Sequence, residues 1–303
     1  MEGKESSLRP EWRAAAQKHY EKTFPAAWAR MMESLRAERG DAFYLCGASF
    51  YLLSLGGVRI AVDPAFVVPS VREALLPRLA ADFQSIDYVL LTHDHADHYS
   101  PEIAAAVRDA RPLWLVPTCM RRGDVYPGRG DFDGNGLPLQ KVRWIREGES
   151  VELPGIRIES FRGLHHYDGG TDGPDSLGYL LCGNGRRILL PGDVRDFRPE
   201  LLPPSCMENL DWLIAHMYLG AGNAAAYPFT EPLGKWIRFF SAPQANTVAI
   251  THLYEWSSPD GRFWNFCHAG AAMDALYALR PEAEVLIPVI GRRYEIKGIR
   301  KSV

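Results

Sequence analysis

The segment Thr92-His93-Asp94-His95-Ala96-Asp97-His98 constrains this chain more than any other stretch of it. Four metal-competent side chains, His93, His95, Asp97 and His98, fall within six residues, directly after the apolar run 86–91, which reads as a buried strand. A tight loop at a strand end lets His93 and His95 face one ion while Asp97 and His98 turn toward a second. Lone histidines are usually packed or solvated bystanders, but three histidines and two aspartates in a row would cost several kcal/mol to bury unpaired. Imidazole and carboxylate donors suit borderline ions such as zinc, and two neighbouring ions can share an activated water at neutral pH.

Other residues at the ends of apolar runs extend this pattern. Asp193 lies in Pro191-Gly192-Asp193 after the run 188–190, where glycine permits a sharp bend that projects a carboxylate into a cleft, although Gly-Asp is also an ordinary turn. His252 follows the run 247–250 and precedes Tyr254, Glu255 and Trp256. Loops beyond strand ends form the crevice of an α/β scaffold, so these positions suit a convergent site. His216, ending another apolar run, reads either as a pocket-lining group or as a buried, hydrogen-bonded histidine. The tandem His165-His166 follows the strand-like stretch 151–161. His268 reads as structural and His19 as a surface residue.

The pattern His93-x-His95-x-Asp97-His98 resembles the signature of the metallo-β-lactamase superfamily, and the surrounding sequence resembles the branch that contains ascorbate-6-phosphate lactonase. Asp63-Pro64, Ile86-Asp87-Tyr88-Val89-Leu90, Pro191-Gly192-Asp193, Thr251-His252 and Trp256-Ser257 occur in matching order, so the likeness covers about residues 41 to 295. It implies that His93, His95 and one of the later tandem hold a first ion, with counting from the strand favouring His165. His166 is then a group that supports the site or faces the substrate. Asp97, His98 and His252 would hold a second ion, and Asp193 would bridge the two. Zinc is the default from ligand type, with manganese and iron as alternatives.

Strands alternating with helices, with several hairpins among them, predict an α/β fold: two mixed sheets sandwiched between helices, αββα, which is also the metallo-β-lactamase fold. Residues 1–40 read as a helical extension that packs on the domain or on another subunit, a route to a homo-oligomer. Pro25 is expected to break it ahead of a helix over 26–39. Residues 41–303 form the catalytic domain. Strands are expected over 43–45, 50–53, 58–62, 113–116, 141–144, 151–161, 179–182 and 188–190, and helices over 71–83, broken at Pro77, over 101–108 and over 269–279. The stretches 123–138 and 168–175 read as loops, the second as a rim or lid beside His165.

A formal charge of −3 over 303 residues argues against a nucleic-acid surface. Met120-Arg121-Arg122-Gly123, with Arg195 and Arg198, reads as solvated arginines or as an anchor for a phosphate or carboxylate. No apolar stretch is long enough to cross a bilayer, the amino terminus lacks a leader pattern, and five scattered cysteines read as reduced core thiols, so a cytoplasmic location is expected. The expected activity is hydrolysis of a small anionic lactone, ester or phosphodiester by metal-activated hydroxide, with Asp97 orienting the nucleophile and shuttling its proton. His166, His216, Arg195 and Tyr254 are the candidate substrate contacts. The alternatives are an iron-dependent oxidoreductase on the same ligands and a non-catalytic binding protein.

Overall fold

Strands with apolar side chains on both faces need cover on both sides, and this chain supplies it with a second sheet on one face and helices on the other. In β1 (Ala42–Leu45) and β2 (Tyr51–Leu55), Phe43, Leu45, Tyr51 and Leu53 turn into a layer between the sheets. Their neighbours Ala42, Tyr44 and Leu52 turn the opposite way, under helices. The computed structural model describes residues 10–122, 141–166, 175–220, 224, 231–259 and 262–298; the expected loop over 123–138 and nearly all of that over 168–175 lie outside them.

The first sheet also contains β3 (Val58–Val62), β4 (Tyr88–Leu90), β5 (Leu113–Pro117) and β6 (Val142–Ile145), with β14 (Arg293–Glu295) at its edge, in the order β14-β1-β2-β3-β4-β5-β6. The second runs β13 (Glu284–Leu286), β12 (Ala245–Thr251), β11 (Leu210–His216), β10 (Arg186–Leu190), β9 (Leu177–Gly183), β8 (Ile156–Arg162), β7 (Ser150–Leu153). Each is mixed: hairpin pairing among β1 to β3 gives way to parallel pairing from β3 to β6, and β7 to β10 are antiparallel while β10 to β13 are parallel. The expected αββα sandwich is what forms.

Helices α1 (Pro10–Ala37), α2 (Pro69–Phe83) and α3 (Pro101–Ala106) cover the first sheet, and α4 (Glu231–Ser241) and α5 (Phe266–Leu279) the second. In α1, Phe24, Trp28, Met31, Met32 and Leu35 recur at helical spacing and are all buried. Trp28 Nε1 also donates to the buried Asp82 at 2.7 Å, and Arg36 and Arg78 reach the same carboxylate. Residues 24–35 of the amino-terminal helix are therefore part of the core of the domain.

Several local expectations change. Pro25 sits inside an unbroken α1 and Pro77 inside an unbroken α2. An interior proline costs roughly 3 kcal/mol, which the buried Phe24 and Trp28 beside one, and Leu75 and Leu79 beside the other, offset by packing. The stretch 151–161 is a hairpin rather than one strand, because Gly155, at φ +80°, turns the chain between β7 and β8. The cysteines are all free, but Cys267 is exposed and Cys119 and Cys182 are only half-buried, so they are not uniformly core thiols.

Candidate metal centre

β10, β11 and β12 run parallel, and β8 is antiparallel to β9, which is antiparallel to β10. The carboxyl ends of β8, β10, β11 and β12 therefore share one edge. His165, Asp193, His216 and His252 lie at or just beyond those ends, and the 92–98 loop leaves β4 toward them.

Backbone hydrogen bonds tie these loops together. Leu177 N donates to Thr92 O at 3.0 Å, Arg195 N to Leu164 O at 2.7 Å, Met217 N to Thr251 O at 2.9 Å, and His252 N to Ala48 O at 2.9 Å. Two glycines permit the close approach. Gly192, at φ +72°, makes the bend ahead of Asp193. A Cβ on Gly163 would stand 2.0 Å from Ser176 Oγ, so only glycine lets the chain reach His165 along this path.

Two donor groups result. His93, His95, His165 and Asp193 present ligand atoms within 4.8 Å of one another, and so do His98, Asp193, His216 and His252. Asp193 belongs to both: its Oδ2 lies 3.9 Å from His165 Nε2, and its Oδ1 lies 3.4 Å from both His98 Nε2 and His252 Nε2. Asp97 Oδ2 stands 3.0 Å from His252 Nε2 and 3.4 Å from His98 Nε2, completing the second group.

The electrostatics separate the groups. Burial, reinforced by the crowding of His98, His165 and His95, holds His93 well below the usual imidazole range, and burial holds His95 at about 4 and His165 at about 3. Burial also opposes charge on His98 and His252, but for His98 the carboxylates of Asp193, Asp97 and Asp63 prevail and raise it, while Asp193 and Asp97 bring His252 to about 9. Asp97 and Asp193 are held well below the carboxylate range: burial works against their charge and is outweighed by His98 and His252.

This arrangement fits divalent cations. His98 Nε2 and His165 Nε2 are buried and have no hydrogen-bond partner, a costly state for polar atoms unless a cation takes the lone pair. The neutral imidazoles of His93, His95 and His165 beside the ionised Asp193 are a donor set that such ions take, and at the second group an ion would take the place of the protons that the carboxylates favour on His98 and His252.

His216 is buried, with Nδ1 2.7 Å from Asp193 Oδ1 and Nε2 3.3 Å from Tyr51 Oη, so it braces Asp193 and does not line an open pocket. His166 is in none of these groups, and its Nε2 lies 3.3 Å from Asp175 Oδ1. The Tyr254 hydroxyl accepts from Phe266 N at 3.2 Å and its ring packs near Trp12, because the turn after His252 points it toward α1. The Arg195 guanidinium lies over the Tyr218 ring at 5.2 Å, close enough for its charge to act on His95 and His165. Arg198 is paired with Asp196, and Arg121 lies 5.5 Å over the Trp144 ring. His268 is structural as expected, capping α5 and reaching Ala224 O at 2.9 Å, and His19 is exposed.

Asp63 was legible only as part of an ordered phrase. It is fully buried, accepts from Thr92 N at 2.7 Å and from Thr92 Oγ1 at 2.6 Å, and lies 2.8 Å from His98 Nδ1. A carboxylate on that nitrogen fixes the tautomer that leaves Nε2 free to ligate. Glu255 is the other residue that the sequence reading passed over. Its carboxylate lies with Asp97 and His252 in a third group of ligand atoms, again within 4.8 Å.

Residues 58–221, more than half of the chain, match the Beta-lactamase superfamily domain. The chain belongs to this family. A UPF0173 protein of Pyrococcus furiosus is 31% identical over 158 residues, covering 49% of this chain and 58% of that one. A UPF0173 metal-dependent hydrolase of Herpetosiphon aurantiacus is 27% identical over 135 residues, covering 44% and 50%. The chain thus spans little more than half the length of these relatives. Among solved structures, a metallo hydrolase of Ignicoccus hospitalis superposes with a TM-score of 0.58 at 15% identity, covering 85% of this chain and 99% of that one. A metallo-beta-lactamase fold protein of Bacillus subtilis superposes with a TM-score of 0.53 at 14% identity, covering 84% of this chain and 100% of that one, and with the family match this establishes the metallo-β-lactamase fold of this β-lactamase-superfamily chain.

Proposed function

We propose that this protein is a metal-dependent hydrolase that works with two divalent ions on a small anionic lactone, ester or phosphodiester. The observation that carries this reading is the sharing of Asp193 between two groups of imidazoles, in which His165 Nε2 and His98 Nε2 are buried without a hydrogen-bond partner. His93, His95 and His165 would hold one ion, Asp97, His98 and His252 the other, and Asp193 both. Zinc suits the nitrogen donors, and manganese or iron is the alternative. When bound, such ions supply Lewis acidity that activates water and polarises a substrate oxygen.

The chain's own groups supply the rest. Asp97, kept ionised by His98 and His252, is the carboxylate that orients the attacking water and accepts its proton. His216 keeps Asp193 aimed between the two groups. Arg195, set over Tyr218 beside the first group, holds the anionic end of the substrate. His166 Nε2 and the Tyr254 hydroxyl are engaged by Asp175 and Phe266, which favours Arg195 as the principal anchor. The lactone half of the substrate class rests on the resemblance to the ascorbate-6-phosphate lactonase branch. Five free thiols favour a reducing, cytoplasmic setting. Among the described residues no helix is long and apolar enough to cross a membrane.

The test is a screen of lactones, phosphodiesters and thioesters against protein reconstituted separately with zinc, manganese and iron. Turnover of one ester class with zinc or manganese, without oxygen uptake, is expected. Activity confined to the iron form and accompanied by oxygen consumption would make the protein an oxidoreductase instead.

A further inference from the structure

The two donor groups are chemically unequal. The first consists of His93, His95 and His165 with the shared Asp193, three imidazoles and no carboxylate of its own. In the second, His216 faces Asp193 through Nδ1 at 2.7 Å and Tyr51 through Nε2 at 3.3 Å. Beside it stand His98, His252 and Asp97, and the Glu255 carboxylate lies within 4.8 Å of the last two. Asp97 Oδ2 in turn lies 3.4 Å from the fully buried His98 Nε2, so the carboxylate of Asp97 links Glu255 to the rest of the second group.

The chain goes to some lengths to place Glu255 there. His252 and Tyr254 both adopt left-handed backbone, at φ +63° and +61°, a conformation that costs a non-glycine residue about 1 kcal/mol or more and persists only when the surroundings enforce it. Here the enforcing contacts are both local and long-range. Tyr254 N donates to Trp264 O at 2.9 Å, and Ser258 N closes a turn onto Glu255 O at 2.9 Å. From α1, Arg13 donates to Trp256 O at 2.9 Å and also to Ser258 O, while the Tyr20 ring stacks on Trp256 at 6.0 Å. The amino-terminal helix thereby holds the chain immediately after the glutamate.

We propose that Glu255 is a further donor to the second ion, making that position carboxylate-rich and able to hold a hard, manganese-type cation, while the imidazole-rich first position suits a zinc-type one. The inference rests on the two-ion reading above. Its basis is the match of donor to cation: oxygen ligands suit manganese and magnesium, and imidazole suits zinc. With Glu255 the second position has two carboxylates of its own beside the shared one; the first has none.

Metal-stripped wild-type protein and the Glu255→Gln variant are each loaded with one zinc per chain and dialysed against manganese alone, and bound metal is counted by mass spectrometry. Manganese affinity is then measured by the electron paramagnetic resonance of free Mn²⁺ during titration of the zinc-loaded protein. Wild type is expected to retain one zinc and one manganese. Glu255→Gln is expected to keep its zinc and bind manganese about tenfold or more weakly. The inference is overturned if zinc-loaded wild type takes up no manganese, a result that needs no variant, or if a folded Glu255→Gln binds manganese as wild type does. Failure of wild type to retain any ion overturns the two-ion reading as well, so the two failures are distinct.

Discussion

Asp63 Oδ2 lies 2.8 Å from His98 Nδ1, both residues fully buried, on the far side of the imidazole from Asp97 and Asp193. The same carboxylate takes both Thr92 donors, so one acid at the end of β3 fixes the start of the ligand loop and the tautomer of its last histidine. Asp63→Asn places an amide against Nδ1 and lets the proton move to Nε2, the nitrogen needed for an ion. Affinity for the second ion should fall by roughly 10–100-fold, measured by metal titration, with the fold intact by circular dichroism. Unchanged affinity would reduce Asp63 to a loop anchor.

The tandem histidines separate cleanly. His165→Ala should abolish binding at the first position, leaving about one ion per chain if one position is lost from a pair. His166→Ala should keep wild-type stoichiometry, since its Nε2 faces Asp175. Mass spectrometry of dialysed protein reads both; the reverse pattern would exchange their roles.

Arg195 is assigned to the substrate's anionic end. A charge-assisted hydrogen bond is worth about 1.5–3 kcal/mol, so Arg195→Gln should raise KM by roughly 10–100-fold with kcat little changed, the signature of lost uniform binding. Steady-state kinetics on an anionic substrate and a neutral analogue decide it. Equal effects on the two would remove the assignment.

The pH dependence of metal-stripped protein follows from opposed shifts. Burial holds folded His95 at about 4 and His165 at about 3, against about 6.5 when unfolded. Between these values the unfolded chain binds more protons, so stability is lost as pH falls from about 6.5 toward 3. His252 has the other sign. Asp193 and Asp97 overcome the effect of burial and raise it to about 9, so its contribution is complete below about 6.5 and is lost as pH rises through about 9. Thermal unfolding across pH should therefore show a maximum near 6.5 in this form, and a midpoint that rises steadily from acid to alkali would contradict the balance.

Helix α1 is predicted to be indispensable. Trp28 is fully buried and bonded to Asp82, and truncation of a core tryptophan costs about 3–5 kcal/mol. Denaturant unfolding of Trp28→Ala should show a loss of that size, and removal of residues 1–40 should leave no folded catalytic domain. A loss below about 1 kcal/mol, far under the core-truncation range, would return the segment to the status of an attached extension.

The sequence by itself determined the family, the alternation of strands and helices, and the histidine-rich loop, because each is written in consecutive residues. Apolar periodicity reports burial, and His93, His95, Asp97 and His98 share one turn of chain, so their proximity requires no long-range contact. Only the tertiary structure decided which member of the 165–166 tandem turns inward, that His216 braces Asp193, that Asp63 stands behind His98, and that Glu255 joins Asp97. It also decided that Pro25 and Pro77 stay within their helices. Each of these depends on partners tens to hundreds of residues away, as when Arg13 grips the loop at 256–258 or Asp63 reaches His98. A side chain's direction is set by the packing of both faces around it, and nothing in its immediate neighbours along the chain encodes that.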